Sequence, residues 1–184
     1  ENFLGGTMKT GMNSNVRDRS NVFVNGGYFS RQPIFDNVFI NFRNDVNETV
    51  QNQSVVAFEA GYGYRSANFN AKVNVYHTQW GNRQFDRSFS NFEYVFEGDT
   101  LQVDALARFE DVAQLHQGVE LEFNYTPVRN LTINGMASVG NWRYTEDFFT
   151  ALTDTDNNRV IREEKLATKD LKVGDAAQTT FSIG

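Results

Sequence analysis

The chain has 184 residues, enough for one sizeable domain, with no cysteine and a formal net charge of −6. The missing cysteines remove disulfide scaffolds, thiolate zinc sites and cysteine nucleophiles together, and the acidic balance argues against a nucleic-acid partner, which needs clustered Lys and Arg. No run of about 18 apolar residues occurs, so a transmembrane helix is excluded, while the 40% hydrophobic content says nothing against a barrel that is apolar only on its outer face.

Strands are expected over 3–12, 20–31, 54–65, 68–80, 115–126, 129–143 and 178–184. The first is the least regular, and Arg17-Asp18-Arg19 supplies a polar turn after it. The second sets Val22, Val24, Gly26 and Tyr28 against Phe23, Asn25, Gly27 and Phe29, and residues 32–53 form a long Asn-rich connection. In the third, Val56, Phe58, Ala60, Tyr62 and Tyr64 oppose Ala57, Glu59, Gly61, Gly63 and Arg65. Successive side chains of a strand point to opposite faces, so one face meets an apolar medium and the other meets water or small residues.

A two-residue hinge, Ser66-Ala67, leads into the fourth strand, where Phe69, Ala71, Val73 and Val75 oppose Asn70, Lys72, Asn74 and Thr78. Pairing about that hinge sets Lys72 opposite Gly61 and diagonal to Glu59. A second long connection, 81–114, contains the β-like runs Phe89–Phe96 and Thr100–Phe109, a hairpin projecting from the rim. Val119, Leu121, Phe123 and Tyr125 then oppose Glu120, Glu122 and Asn124, and a compact turn over 126–130 feeds Leu131, Ile133, Ala137 and Val139. Pro33 and Pro127 both fall between predicted strands. A third long connection, 145–177, is highly charged, and the last strand stops at Gly184.

Short turns therefore gather at one end and long loops at the other, as in outer-membrane barrels. Tyr62, Tyr64, Phe69, Phe123 and Tyr125 all lie beside the short turns, where an aromatic girdle would sit. A soluble sandwich or lipocalin-like barrel, with the apolar face turned inward, is the competing architecture. Loop asymmetry, the aromatic ring and strand segments of 11–15 residues favour the membrane. The expected fold is all-β, an antiparallel up-and-down transmembrane β-barrel segment of about seven strands, with short periplasmic turns and long extracellular loops.

Several stretches support a resemblance: residues 21–39 (from Asn21-Val22-Phe23-Val24-Asn25-Gly26-Gly27-Tyr28-Phe29), Phe58-Glu59-Ala60-Gly61-Tyr62-Gly63-Tyr64-Arg65-Ser66, Asn74-Val75-Tyr76, and Thr78-Gln79-Trp80. His116-Gln117-Gly118-Val119-Glu120-Leu121-Glu122, Gly135-Met136-Ala137-Ser138-Val139-Gly140-Asn141-Trp142 and Val173-Gly174-Asp175-Ala176-Ala177-Gln178-Thr179-Thr180 continue the same pattern. In order and spacing the chain resembles the barrel of TonB-dependent outer-membrane receptors of the Bacteroidetes type. Such a resemblance implies a barrel of about 22 strands closed by an N-terminal plug, with import powered by an inner-membrane TonB complex. It further implies a Gram-negative outer-membrane location, the lipid bilayer as surroundings, and a surface lipoprotein as a possible additional partner.

Residues 1–184 contain no plug and only about seven strands, so the expectation is a partial barrel domain with its last strand truncated. On this view the whole protein imports a scarce nutrient such as an iron chelate or an oligosaccharide. The alternative is a self-contained small outer-membrane barrel with a structural or adhesive role. No enzyme, cofactor or metal is expected: His77 and His116 stand without a nucleophile motif, and no Walker A loop is present. Asp154-Thr155-Asp156-Asn157-Asn158 opens like a calcium loop, but Arg159 replaces the required Gly and Lys165 the bidentate Glu, which leaves a solvated acidic loop. Glu59, Lys72, Asn74, Glu120, Glu122, Asn124 and Asn134 are the lumen-lining set. Trp80, Arg83, Trp142 and Arg143 are the candidate ligand-contacting rim, serving equally as interfacial anchors.

Overall fold

Alternation at period two makes one long antiparallel meander. The computed structural model describes residues 3–39, 44, 46–174 and 176–184; Asp175 and residues 40–43 and 45 of the Asn-rich connection lie outside the described residues. Strands β1 (Gly6–Arg17), β2 (Ser20–Arg31), β3 (Gln53–Arg65), β4 (Phe69–Phe96), β5 (Asp99–Val128), β6 (Leu131–Tyr144) and β9 (Thr179–Ile183) lie side by side in that order. A single helical turn, α1 (Phe35–Val38), interrupts the Asn-rich connection. The charged connection expected to be irregular contains two more strands, β7 (Phe148–Asp154) on β5 and β8 (Val160–Leu166) on β7. The sheet thus has nine strands rather than about seven, and it is open, with β1 and β9 at the edges of its main path.

The run expected as a loop with a separate hairpin is continuous with its flanking strands. β4 spans 28 residues and β5 spans 30, closed at the far end by Glu97-Gly98 with φ of 53° and 97°. Positive φ at both central residues is the two-residue hairpin geometry whose twist matches that of the strands, and Gly98 is the residue that adopts it without strain. Asn82, Asn91 and Asp111 also have positive φ, and each sits at one of the three register shifts between β4 and β5. Asn and Asp tolerate that conformation, so a residue that reads as a loop former makes a bulge without ending the strand. Pro127 likewise lies inside β5, not between strands, at the register shift between Tyr125 and Val128 where its missing N–H is harmless.

Register assigns every side chain to a face. Val24, Ala60, Val75, Val119 and Val139 share one row, and Val22, Tyr62, Val73, Leu121, Ala137 and Phe181 share the next. Many of these apolar side chains are uncovered: Phe58 is 58% exposed, Val75 50% and Val139 60%. The far limit of this apolar band is not level. It falls at Gly6, Ser30 and Ser54 in β1–β3 and four residues lower, at His77, Gln117 and Asn141, in β4–β6.

The buried core lies elsewhere, in the projection made by the outer parts of β4 and β5 with β7 and β8. Ala105, Ala107, Val112 and Phe148 are buried there. Phe109 stacks on Phe85 at 4.8 Å and meets Phe148 edge-on at 5.9 Å. Small Ala residues on β5 let these rings approach the sheet. Replacing Phe148 with Ala is expected to cost about 3–5 kcal/mol locally; hydrogen exchange should then accelerate in 99–110 and 148–166 while 54–65 keeps its protection.

Candidate functional site

All seven residues expected to line an interior share the polar face. Glu59 pairs with Tyr76, Asn74 with Glu120, Lys72 with Glu122 and Asn124 with Asn134. The Asn74 amide donates to Glu59 Oε1 at 3.2 Å and to Glu120 Oε2 at 3.1 Å, and Asn25 donates to Glu59 Oε2 at 3.3 Å. One amide thereby holds two carboxylates in a chain across four strands, and Asn74 itself is buried. Lys72 does not sit opposite Gly61. It faces Gly63, because Arg65 pairs with Asn70 and the turn holds four residues rather than two. Ser66 N–H bonds the Phe69 carbonyl at 2.7 Å, closing that wider turn, and the Lys72 ammonium lies 4.9 Å from the Phe23 ring centre.

This face carries two adjoining hollows of about 520 and 710 Å³. Asn21, Lys72 and Glu122 border the first; Lys9, Phe29, Tyr76 and Trp142 border the second. Carboxylate, amide and cationic side chains line both, together with rings such as Phe23 in the first and Phe29 in the second. Among the described residues no three His, Cys, Asp or Glu side chains converge as they would around a metal ion.

The four expected rim residues separate into two groups. Arg83 lies 5.0 Å from the Trp80 ring centre and donates to Gln114 Oε1. Trp142 stacks on His116 at 5.2 Å, and its indole N–H donates to the Tyr76 hydroxyl at 2.8 Å. Tyr76 reaches that position over Gly118, where a Cβ would stand 2.6 Å from its hydroxyl oxygen. Arg143 belongs to the other face, paired with Leu115, and its guanidinium bonds Asp170 at 2.9 Å. His77 is also on the apolar face, its Nδ1 3.2 Å from Gln117 Oε1. Tyr76, Gln114 and His116 complete the rim cluster; alternation alone does not find it, since the bulge at Asn82 brings Arg83 back beside Trp80.

At the far end, Arg108 and Glu110 of β5 tie down the Asn-rich connection. Arg108 pairs with Asp86 at 3.3 Å and donates to the Asp36 carbonyl, while Glu110 accepts from Asn47 at 2.8 Å and from Thr49. Asp154 is not solvated as expected: it is fully buried. Its Oδ1 accepts the N–H groups of Asp156 and Asn157, and its Oδ2 accepts the Asn157 amide at 3.2 Å and the Tyr94 hydroxyl at 3.5 Å. Donors of its own turn thus occupy both oxygens, which makes this a structural turn. Arg159 closes it, 3.7 Å from the Phe96 ring centre and hydrogen-bonded to Tyr94.

Burial raises the Asp154 pKa, but the Asn157 amide, the N–H groups of Asp156 and Asn157, and nearby Arg159 outweigh it and hold the carboxyl below its ordinary 3.8. Asp147 is lowered too, chiefly by the Lys169 N–H, then against desolvation by the Thr168 N–H and Lys165. Comparison with family models, with curated proteins and with solved structures gives no match for this chain.

Depressed carboxyl pKa values stabilise the folded state above the unfolded pKa and lose that contribution as pH falls through the folded one. The β7–β8 turn should therefore lose exchange protection as pH is lowered past 3.8. Asp154→Asn should flatten the Asp154 part of that response, while weakening the turn by about 1–3 kcal/mol at neutral pH.

Proposed function

We propose that this chain is barrel wall of a TonB-dependent outer-membrane transporter that imports a scarce nutrient. The observation that carries the membrane part of the reading is the exposed, slanting apolar band. Monomeric soluble proteins rarely leave so continuous an apolar surface uncovered, and here it runs across seven strands with no second layer packed on it among the described residues. The stretch from Val56 to Tyr64 in β3 is about 27 Å long, and at the tilt of about 35–45° of outer-membrane strands it rises about 19–22 Å, close to the apolar band about 25 Å tall of such barrels.

Further support comes from the rings beside the short turns, where Tyr64, Phe69 and Tyr125 follow one another at 6.2 and 6.1 Å. A girdle of this kind belongs at a membrane interface. The open edges at β1 and β9 leave ladder positions for more strands, which favours a larger barrel over a small self-contained one. The transporter part of the reading rests on the sequence resemblance. In this reading the polar face with Glu59, Asn74 and Glu120 lines the lumen, the long loops are extracellular, and the plug, the TonB complex and any surface lipoprotein are partners of the whole protein.

Two tests separate the membrane from the transport claim. Val139→Arg and Ser138→Arg place the same charge at one depth on opposite faces. The first should cost about 2–4 kcal/mol and deplete the protein from the outer membrane, whereas the second should be tolerated; equal tolerance would remove the bilayer from the reading. For transport, the native protein in outer membranes should be several times heavier than 21.0 kDa, and its loss should abolish an uptake that requires the TonB complex. Uptake indifferent to that complex would leave a barrel without the proposed mechanism.

A further inference from the structure

The three short turns at the Tyr64–Phe69–Tyr125 end of the sheet carry a charge pattern opposite to that of the whole chain. With the residues that flank them they hold Arg17, Arg19, Arg65 and Arg129 against a single acid, Asp18, in a protein of net charge −6. All four arginines are exposed, and none takes part in an ion pair among the described residues. Backbone bonds hold the turns side by side, from Arg65 N–H to the Arg19 carbonyl and from Thr126 N–H to the Asn68 carbonyl, both at 2.8 Å. The four arginines therefore gather at one end of the sheet, next to the row of Tyr64, Phe69 and Tyr125, with Arg65 on the polar face, where it borders the first hollow.

We propose that this end is a collar that binds the phosphate of anionic glycerophospholipid headgroups; the inference rests on the membrane reading above. Guanidinium groups hydrogen-bond phosphate in a fork and sit at the boundary where the aromatic rings end. Successive turns are two strands, about 10 Å, apart, which suits a line of separate headgroups better than one free anion. Position argues for the lipid as well: a phosphate held at this end has its acyl chains alongside the apolar band.

The test is native mass spectrometry of the intact protein, extracted into mixed micelles containing phosphatidylglycerol and phosphatidylcholine. Phosphatidylglycerol should be retained preferentially, and each Arg→Gln change should lower that preference about fivefold, the equivalent of about 1 kcal/mol per basic residue at a membrane surface. Arg→Lys changes should keep most of it, and Lys169→Gln with Lys172→Gln, at the opposite end, should leave it unchanged. Equal retention of the two lipids, or a preference that survives loss of all four arginines, overturns the collar. Displacement of the lipid by an equal concentration of inorganic phosphate reassigns the site to a free anion and overturns the lipid claim. A protein released without detergent and carrying neither lipid overturns the membrane reading and the collar together.

Discussion

The rest of the structure depends on the ladder register of the central strands. Each residue of β2 has a defined partner on β3, and residues 54–65 of β3 have theirs on β4, without a bulge between Ser20 and Trp80; from Gln114 to Tyr125 the pairing of β5 is regular on both sides. Because side chains alternate at period two, a slip of one residue at any pairing would turn Val73 and Val75 to the polar side and Asn74 to the apolar one. Asn74 resists such a slip directly, since its amide is shared by carboxylates on both neighbouring strands. Tyr76 resists it too, because its ring fits only above a residue without Cβ and its hydroxyl is taken by Trp142.

Two regions with different physics share the β4–β5 ribbon. The main sheet is one layer thick and buries little apolar surface; its cohesion is chiefly its backbone hydrogen bonds and cross-strand pairs. The projection is built as a small core, with Phe85, Phe109 and Phe148 packed over Ala105 and Ala107. Its carboxylates Asp86, Glu110 and Asp154 each engage a specific donor, as Glu59 and Glu120 do on the polar face. The uncovered apolar side of this layer is the reason the bilayer enters the proposed function.

The central strands were legible because their alternation is regular and their turns are short. Residues 20–31 and 129–143 were expected as strands and are observed as Ser20–Arg31 and Leu131–Tyr144. The outer half of the ribbon was obscured by Asn82, Asn91 and Asp111, residues that usually end strands and here add single bulges. β8 was obscured by Arg162, Glu163, Glu164 and Lys165, a run that reads as solvated until β7 lies beside it. At the polar site, the shared face of the seven residues followed from alternation. The partner of Lys72 did not, because Ser66 bonding back to Phe69 widened the turn by two residues, a choice that depends on side-chain geometry and not on residue type. Arg143 was grouped with Trp142 by proximity in sequence, although neighbours on a strand point apart.

The bulges at Asn82 and Asp111 fall on opposite strands of the ribbon, one residue added to β4 and one to β5. Their offsets cancel, so pairing beyond them resumes as though nothing had been inserted, while the parity of both strands is reversed. Even-numbered residues face the Trp80 side before the pair, and odd-numbered residues face it after, on β4 as far as Phe89, where the bulge at Asn91 restores the even frame of that strand. The sequence of the projection is thereby released from the alternation that the sheet imposes below it. Substitutions in one segment are read in a different frame from those in the other, so the distal hairpin can diversify its surface while the wall beneath keeps its two-faced pattern. A single unpaired insertion at this junction would remove that independence and rotate the whole distal ribbon.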